Sequence, residues 1–260
     1  MFNNRSVTVS NAGDRTWAAR AGHCSEAFKK SAIVKAMVEA SSRAGGVAVQ
    51  VTKQILYPGW TSFEHNDLLF LKIDPPIFDV DPLQLNFDTT LPVTGESLEI
   101  IGFGKTGDLS GISPRLKQAQ VYEVPYATCV TYYGSTLVQS QHICVWNVSP
   151  FATTCQGDSG GPLLGNGSGG TANTMLSFGV LSFGMDRCSS APAVFTRLSG
   201  YKDFLTTGIC SNSAYPPTYL NCGSVKGVAG VGEEGSGGRG HTGKNNGKKK
   251  TKRMNKKLHF

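Results

Sequence analysis

Three segments of the chain alternate apolar and polar residues with a period of two, which is typical of half-buried β-strands. These segments are Val47 to Ile55, Ser97 to Phe103 and Leu176 to Phe183. Stretches rich in glycine, such as residues 104–111 and 165–170, supply the backbone dihedrals of turns between them. The pattern predicts an all-β fold.

Two stretches indicate helix instead. Residues Glu26 to Arg43 have the Ala, Met, Lys and Glu content of an amphipathic helix, and a short helix is expected around Tyr201 to Thr207. The chain becomes irregular at Asn212 to Pro217, so we expect the folded body to end near Cys222.

The charge of the chain is concentrated at its C-terminal end. The chain has 260 residues and a net charge of +7, but residues 223–260 alone hold ten Lys or Arg against Glu233 and Glu234. The body is therefore near neutral, and we predict a disordered, Gly/Lys-rich basic tail over 223–260. Its run from Lys248 to Arg253 could bind nucleic acid or an acidic surface. We assign it no function, because no aromatic stacking platform accompanies it.

Seven cysteines without a CxxC pair favour disulfides, and hence an extracellular, secreted protein, over a zinc or thioredoxin-type site. The odd count leaves one cysteine without a partner.

No ligand set surrounds His65 or His142, so we expect no metal and no cofactor. The sequence has no apolar run that could span a bilayer, and Met1 to Ser10 lacks the apolar stretch of a signal peptide.

The strongest chemical signal is the segment from Cys155 to Pro162, which reads Cys-Gln-Gly-Asp-Ser-Gly-Gly-Pro. Its serine, Ser159, lies among glycines that permit a sharp turn. Acyl transfer by a serine requires a base for the hydroxyl proton and backbone N–H groups aimed at the developing oxyanion. Because Gly157 has no side chain, its N–H can face the same oxygen as that of Ser159, which predicts an oxyanion hole.

The candidate base is His23, which lies in a turn of small residues closed by Cys24. The candidate orienting acid is Asp67, which opens the apolar run Leu68 to Leu71 and would lie at the edge of a buried strand. A carboxylate in that place can fix the imidazole tautomer and stabilise its charged form.

The order His23, Asp67, Ser159 resembles the chymotrypsin family of serine proteases. The separations are 44 and 92 positions, each one residue shorter than in that family. The resemblance covers about Val7 to Thr207 and includes three further landmarks: Gly102-Phe103-Gly104, Ser182-Phe183-Gly184 and Phe195-Thr196-Arg197.

The resemblance implies two packed antiparallel β-barrels of the six-stranded type, with the site in the cleft between them and a short C-terminal helix. Part of Glu26 to Arg43 should then be strand and loop rather than helix. The implied activity is that of a serine-type endopeptidase forming an acyl-enzyme, with protein or peptide substrates, possible protease inhibitors as partners, and a monomeric state. We divide the chain into a protease domain (1–209), a cysteine-containing extension (210–222) and the tail (223–260).

The resemblance also implies disulfides. The family bridges the cysteines that match Cys155 and Cys188 beside the substrate pocket, and those that match Cys129 and Cys144 across a loop. Cys210 and Cys222 could pair with each other, which would leave Cys24 alone.

The implied specificity pocket has Thr153 at its floor and Gly184 and Ala193 on its walls. A neutral floor gives a substrate cation no partner, so we predict cleavage after an uncharged residue. Asp186 could instead reach the pocket mouth and favour a basic residue. Ser182, Phe183 and Gly184 should pair with the substrate backbone as an added strand.

In the family, a freed N-terminal amine pairs with the aspartate that matches Asp158. Relatives carry more residues before the histidine than the 22 found here, so we expect the N-terminal segment to be incomplete. The alternative function is a catalytically inactive homologue that acts as a binding module. The presence of His23, Asp67 and Ser159 together favours the enzyme.

Overall fold

The computed structural model describes residues 7–8, 16–25, 35–38, 42, 45–62, 65–78, 82–147, 152–167 and 175–224. The predicted tail lies outside the described residues from position 225 onward, and so does most of the stretch from Glu26 to Arg43.

The first sheet has five antiparallel strands in the order β1-β2-β5-β4-β3. Its strands are β1 (Val7–Thr8), β2 (Trp17–Arg20), β3 (Lys35–Val38), β4 (Val47–Leu56) and β5 (Leu69–Asp74). The register pairs Arg20 at the end of β2 with Leu69 at the start of β5. The segments after β2 and before β5 therefore emerge side by side, and these are the segments that carry His23 and Asp67.

The second sheet closes into a six-stranded barrel, because β10 pairs with both β7 and β11. A short seventh strand, β6, adds to β11 in parallel. The strands are β6 (Gln84–Leu85), β7 (Ser97–Gly102), β8 (Lys117–Glu123), β9 (His142–Trp146), β10 (Pro162–Asn166), β11 (Met175–Phe183) and β12 (Ala193–Arg197). The predicted all-β class is confirmed, and the three segments with period-two alternation are β4, β7 and β11.

The described helices are short. They are α1 (Tyr126–Tyr133), α2 (Lys202–Asn212) and five 3-10 turns at Gly22–Cys24, Gly134–Thr136, Leu198–Tyr201, Thr218–Leu220 and Cys222–Ser224. The predicted C-terminal helix exists but extends five residues beyond Thr207. Its apolar face continues through Ile209, which is buried like Leu205 four positions earlier, and a disulfide joins Cys210 to Cys222.

The helix suggested by the composition of Glu26 to Arg43 is wrong at Lys35–Val38, which is strand β3. Four residues of β3 pair in register with β4. These ladder hydrogen bonds outweigh a weak local preference for helix, since tertiary context commonly overrides propensity.

A core cluster joins the first sheet to the C-terminal helix. Trp17 and Phe70 are fully buried there against Leu205 of α2. A Cβ atom on Gly208 would overlap the ring of Phe70, so glycine is required where the helix crosses the sheet. Leu220, in the extension, is buried in the same cluster. The C-terminal segment is therefore fixed against the first sheet, in a cluster that also includes Ala21, two positions before His23.

Polar contacts hold the end of α2 in the same place. Lys72 Nζ donates to the Asn212 carbonyl oxygen at 2.7 Å, and Trp17 Nε1 donates to Ser213 Oγ at 2.6 Å. The Lys72 ammonium group also interacts favourably with the partial negative charge at the C-terminus of the helix. Within the described part of the chain, none of the helices has both the length and the apolar character needed to cross a membrane.

Replacing Leu205 by Ala should lower the free energy of unfolding by about 2 to 4 kcal/mol, because it removes a fully buried side chain and leaves a cavity under α2. Urea denaturation would measure the loss. Leu109→Ala is the matched control, since Leu109 is fully exposed and its truncation should change stability by less than about 0.5 kcal/mol. Equal losses in the two variants would contradict the assignment of Leu205 to the core.

Candidate active site

His23 and Asp67 are in direct contact at the end of the first sheet. The His23 Nδ1–H group donates to Asp67 Oδ2 at 2.8 Å, and the His23 backbone N–H donates to Asp67 Oδ1 at 2.6 Å. Both carboxylate oxygens therefore orient the same histidine. Glycine is needed beside it, because a Cβ on Gly22 would lie 2.9 Å from Trp60 and 3.1 Å from Asp67 Oδ1.

Asp67 is also bound by the second sheet. The residue is 1% exposed, and Ser182 Oγ, on β11, donates to Oδ2 at 2.5 Å. Thr196 Oγ1, on β12, donates to the Asp67 backbone carbonyl at 2.9 Å. These contacts connect the two sheets at the site. Several hydrogen bonds offset the cost of removing this carboxylate from water.

The environment of His23 favours the imidazolium. Burial lowers its pKa, but the hydrogen bonds to Asp67 and to Cys24 and the negative charges of both groups outweigh burial and raise the pKa to about 10. The Asp67 carboxylate and the Cys24 sulfur therefore both stabilise the protonated ring.

Ser159 lies on a tight turn between two glycines with positive φ, Gly157 at 96° and Gly160 at 77°. The turn is fixed by backbone hydrogen bonds, including Gly160 N–H to the Leu181 carbonyl at 2.9 Å. A Cβ on Gly160 would lie 2.9 Å from Arg20 Nε and 3.3 Å from Cys24 Sγ. The residue after Ser159 thus packs directly on the segment that carries His23.

Gly157, an expected oxyanion donor, is packed about as closely as Gly160. A Cβ there would lie 3.2 Å from Gly104 Cα and 3.4 Å from Ile112 Cδ1. Its backbone therefore runs against the loop that follows β7, where a side chain would not fit. That loop is bonded to the turn, since Lys105 N–H donates to the Gln156 carbonyl at 2.9 Å.

The Asp158 carboxylate lies against the end of β7 and the start of the loop that follows it. The N–H groups of Gly104 and Cys155 donate to it at 2.7 and 3.0 Å. A Cβ on Gly104 would come within 2.5 Å of the carboxylate, which explains the glycine at that place. Burial raises the pKa of Asp158 to about 6, against the lowering effect of the two amide hydrogen bonds.

Asp158 also lines a cavity of about 410 Å³. The wall includes Lys105, Thr153 and Phe195. Open space therefore lies beside the Asp158 carboxylate. This carboxylate accepts two amide hydrogen bonds, and its burial makes the charged form costly.

The residues expected to form the specificity pocket lie on both sides of one disulfide. Cys155–Cys188 joins the segment of Thr153 to the segment after β11, and Ala193 is buried at the start of β12. Asp186 is exposed, so its carboxylate does not lie in a buried pocket. The Phe183 ring packs edge-on against Tyr133 at 5.4 Å, which fixes the end of β11 beside Gly184.

The structure also forms the disulfides Cys129–Cys144 and Cys210–Cys222, and Cys24 is a free thiol. Among the described residues, one group of potential metal ligands comes together: Asp108, Cys155 and Cys188. Its two sulfurs are bonded to each other, so it offers no metal site. Asp108 instead accepts a hydrogen bond from the Cys188 backbone N–H at 2.8 Å.

The Trypsin family model matches residues 10–205, about three quarters of the chain. The chain belongs to the trypsin family of serine proteases. This trypsin-family membership agrees with the chymotrypsin-like fold expected from the sequence, and the positions of His23, Asp67 and Ser159 all lie within the matched range.

Three curated relatives illustrate the similarity. A trypsin-like protease of Streptomyces glaucescens is 30% identical over 186 residues, covering 70% of this chain and 66% of the relative. An alpha-fibrinogenase-like protein of Daboia siamensis is 28% identical over 152 residues, covering 57% and 56%. Chymotrypsin-like elastase family member 1 of Felis catus is 32% identical over 212 residues, covering 76% and 77%. The chain therefore spans less than two thirds of the length of the first two.

Two features of this trypsin-family site were not found by sequence reasoning. Thr196 was noted only as part of a landmark, although its hydroxyl binds the Asp67 backbone. Ser182 was expected to bind substrate, and its hydroxyl also bonds to the Asp67 carboxylate. Only the docking of the two sheets brings these residues together.

Asp158 should make stability depend on pH. Its folded pKa, about 6, lies above its ordinary value of 3.8, so the folded chain binds more protons between these values and stability falls as pH rises through them. The free energy of unfolding should fall by about 2 to 3 kcal/mol over this range. Asp158→Asn should abolish this contribution to the dependence of stability on pH. Denaturation at pH 4 to 7 would measure it. The exposed carboxyl in Asp186→Asn serves as the control, and an unchanged slope in Asp158→Asn would contradict the assignment.

Proposed function

We propose that this chain is a serine endopeptidase that cleaves peptide bonds through His23, Asp67 and Ser159. The observation that carries the proposal is the Asp67 carboxylate, buried and bonded through both oxygens to His23. This geometry leaves Nε2 as the proton acceptor of the neutral ring, while Asp67 stabilises the ring when it becomes charged.

The reaction follows from these roles. His23 Nε2 takes the proton of Ser159 Oγ as the oxygen attacks the carbonyl carbon of the substrate, and the N–H groups of Gly157 and Ser159 bind the oxyanion of the tetrahedral intermediate. His23 then gives the proton to the leaving amine, which produces the acyl-enzyme. A water molecule, activated by the same histidine, releases the second product.

We propose further that cleavage follows an uncharged residue. Thr153 would form a neutral floor, and the buried methyl group of Ala193 would narrow one wall. A buried substrate cation without a counter-charge is costly. The exposure of Asp186 argues against it as that counter-charge.

Asp158 is the proposed activation residue. The cavity beside it would take an amino group, and an ammonium there would pair with the carboxylate and offset the burial that raises its pKa. The pair would hold the turn from Gly157 to Ser159 in its donating geometry. The three disulfides support the proposal that the protein acts in an oxidising, extracellular setting.

A fluorophosphonate probe, which reacts with activated serines, tests the catalytic roles. We expect labelling of the folded chain, and in Ser159→Ala and His23→Ala a loss of labelling and a fall in peptidase activity of about 10³-fold or more. His65→Ala is the matched control and should label normally. A folded chain that binds peptides but labels no faster than Ser159→Ala would support the binding-module alternative instead.

Thr153→Asp tests the pocket. A carboxylate at the floor would give Arg and Lys a buried partner, so kcat/KM for peptides with Arg before the cut should rise at least about tenfold relative to those with Leu. A peptide library with varied residues at that position would measure the change. Asp186→Asn should leave the preference unaltered, and a wild-type preference for Arg that disappears in this variant would overturn the proposal.

A further inference from the structure

A tight turn fixes the backbone around Asp67. The Leu68 N–H donates to the Asn66 carbonyl oxygen at 2.7 Å, which closes a three-residue turn with Asp67 at its centre. Asn66, the residue before Asp67, has a φ of 56°, in the left-handed region that asparagine tolerates better than most residues with a side chain. The direction of the Asp67 side chain therefore depends on how this turn is held.

Both ends of the Asn66 amide hold the turn. Asn66 Nδ2 donates to the Gly59 carbonyl oxygen at 2.9 Å, and the Tyr201 hydroxyl donates to Asn66 Oδ1 at 3.2 Å. A Cβ atom on Gly59 would lie 3.3 Å from Asn66 Nδ2 and 3.0 Å from the Tyr57 ring, so a side chain at position 59 would crowd the amide. One carboxamide thus joins the turn to two other segments of the chain.

Tyr201 connects the turn to the C-terminal helix. It lies at the end of the 3-10 turn Leu198–Tyr201, directly before α2, and it is 4% exposed. Its ring packs edge-on against Tyr57 at 5.1 Å, and the Tyr57 N–H donates to the Leu68 carbonyl oxygen at 3.0 Å. Burial raises the pKa of the Tyr201 hydroxyl, which therefore keeps its proton and is a hydrogen-bond donor at neutral pH.

We propose that Asn66 and Tyr201 are positioning residues of the active site, which hold the turn that aims the Asp67 carboxylate at His23. The inference rests on the proposed function and adds two residues to that same site. Asp67 reaches His23 through two hydrogen bonds, of 2.6 and 2.8 Å. Because a misplacement of about 1 Å can slow catalysis strongly, a turn that loses the Asn66 amide should orient the base less accurately and slow the chemical step.

Two variants remove these contacts with little other change. Tyr201→Phe deletes only the hydroxyl and keeps the ring in the core, and Asn66→Gly deletes the amide at a position whose φ glycine adopts freely. We expect kcat for a peptide substrate to fall about fivefold in Tyr201→Phe and about tenfold or more in Asn66→Gly, with KM within about twofold of the parent value. Tyr219→Phe is the matched control, because Tyr219 packs on the same core cluster as Tyr201, and it should keep kcat unchanged.

The double variant tests whether Tyr201 acts through the Asn66 amide. If it does, the two losses are not additive, and the double variant should have the kcat of Asn66→Gly alone. A loss in the double variant equal to the product of the two single losses would overturn the proposal. Full kcat in both single variants, even with a lower urea midpoint of unfolding, would also overturn it, since the contacts would then serve stability alone.

A spectroscopic measurement tests the positioning without activity. In the inactive Ser159→Ala background, the ¹H NMR shift of the His23 Nδ1 proton reports its hydrogen bond to Asp67, because a shorter bond deshields the proton more. We expect this resonance to move upfield in Tyr201→Phe and Asn66→Gly and to keep its place in Tyr219→Phe. An unmoved resonance in all three variants would contradict the proposal. A moved resonance, with neither peptidase activity nor fluorophosphonate labelling in the chain that retains Ser159, would support the positioning and refute the proposed function.

Discussion

The buried carboxylate of Asp67 is the group on which the architecture of the site depends. Removing a carboxylate from water is costly unless its oxygens accept hydrogen bonds. Here the donors come from both sheets: His23 beside the first, and Ser182 on β11 of the second. The Thr196 hydroxyl holds the same residue by its backbone. Asp67 is therefore satisfied only when the two sheets are docked, and the orientation of His23 depends on that docking.

A second carboxylate, that of Asp158, is in a contrasting state. It receives two amide hydrogen bonds and borders a cavity, and burial raises its pKa to about 6. The Asp67 carboxylate, by contrast, accepts hydrogen bonds from an imidazole and a hydroxyl as well as from one backbone amide. The difference separates the two halves of the proposed mechanism. The proposed base, His23, is positioned by hydrogen bonds that the structure already contains. The turn from Gly157 to Ser159, which carries the proposed oxyanion donors, includes the Asp158 carboxylate, and a cation would stabilise the charged form of that carboxylate further.

The sequence predicted what is encoded locally. Ser159 lies between Gly157 and Gly160 because the turn requires positive φ at both, and such a requirement is visible in a single segment. His23 and Asp67 were predicted from short contexts and from the order of the three residues. The alternation of apolar residues likewise predicted β4, β7 and β11 within a few positions.

The features that could not be predicted from the sequence depend on contacts between residues far apart in the chain. Ser182 and Asp67 are 115 positions apart, and Thr196 and Asp67 are 129 apart, so their hydrogen bonds follow from the packing of two sheets and not from a motif. Strand β3 has a helical composition and becomes a strand because β4 offers it a ladder. Helix α2 extends beyond Thr207 because its apolar face continues to Ile209 and a disulfide anchors Cys210.

The segment that carries His23 also supports the turn that carries Ser159. Arg20 Nη2 lies 3.8 Å from Cys24 Sγ. A Cβ atom on Gly160, the residue after Ser159, would lie 2.9 Å from Arg20 Nε and 3.3 Å from Cys24 Sγ. Asp67 fixes the orientation of His23 through both carboxylate oxygens. The proposed base and the proposed nucleophile are therefore positioned by one connected set of contacts, and their relative placement depends on the glycine at position 160.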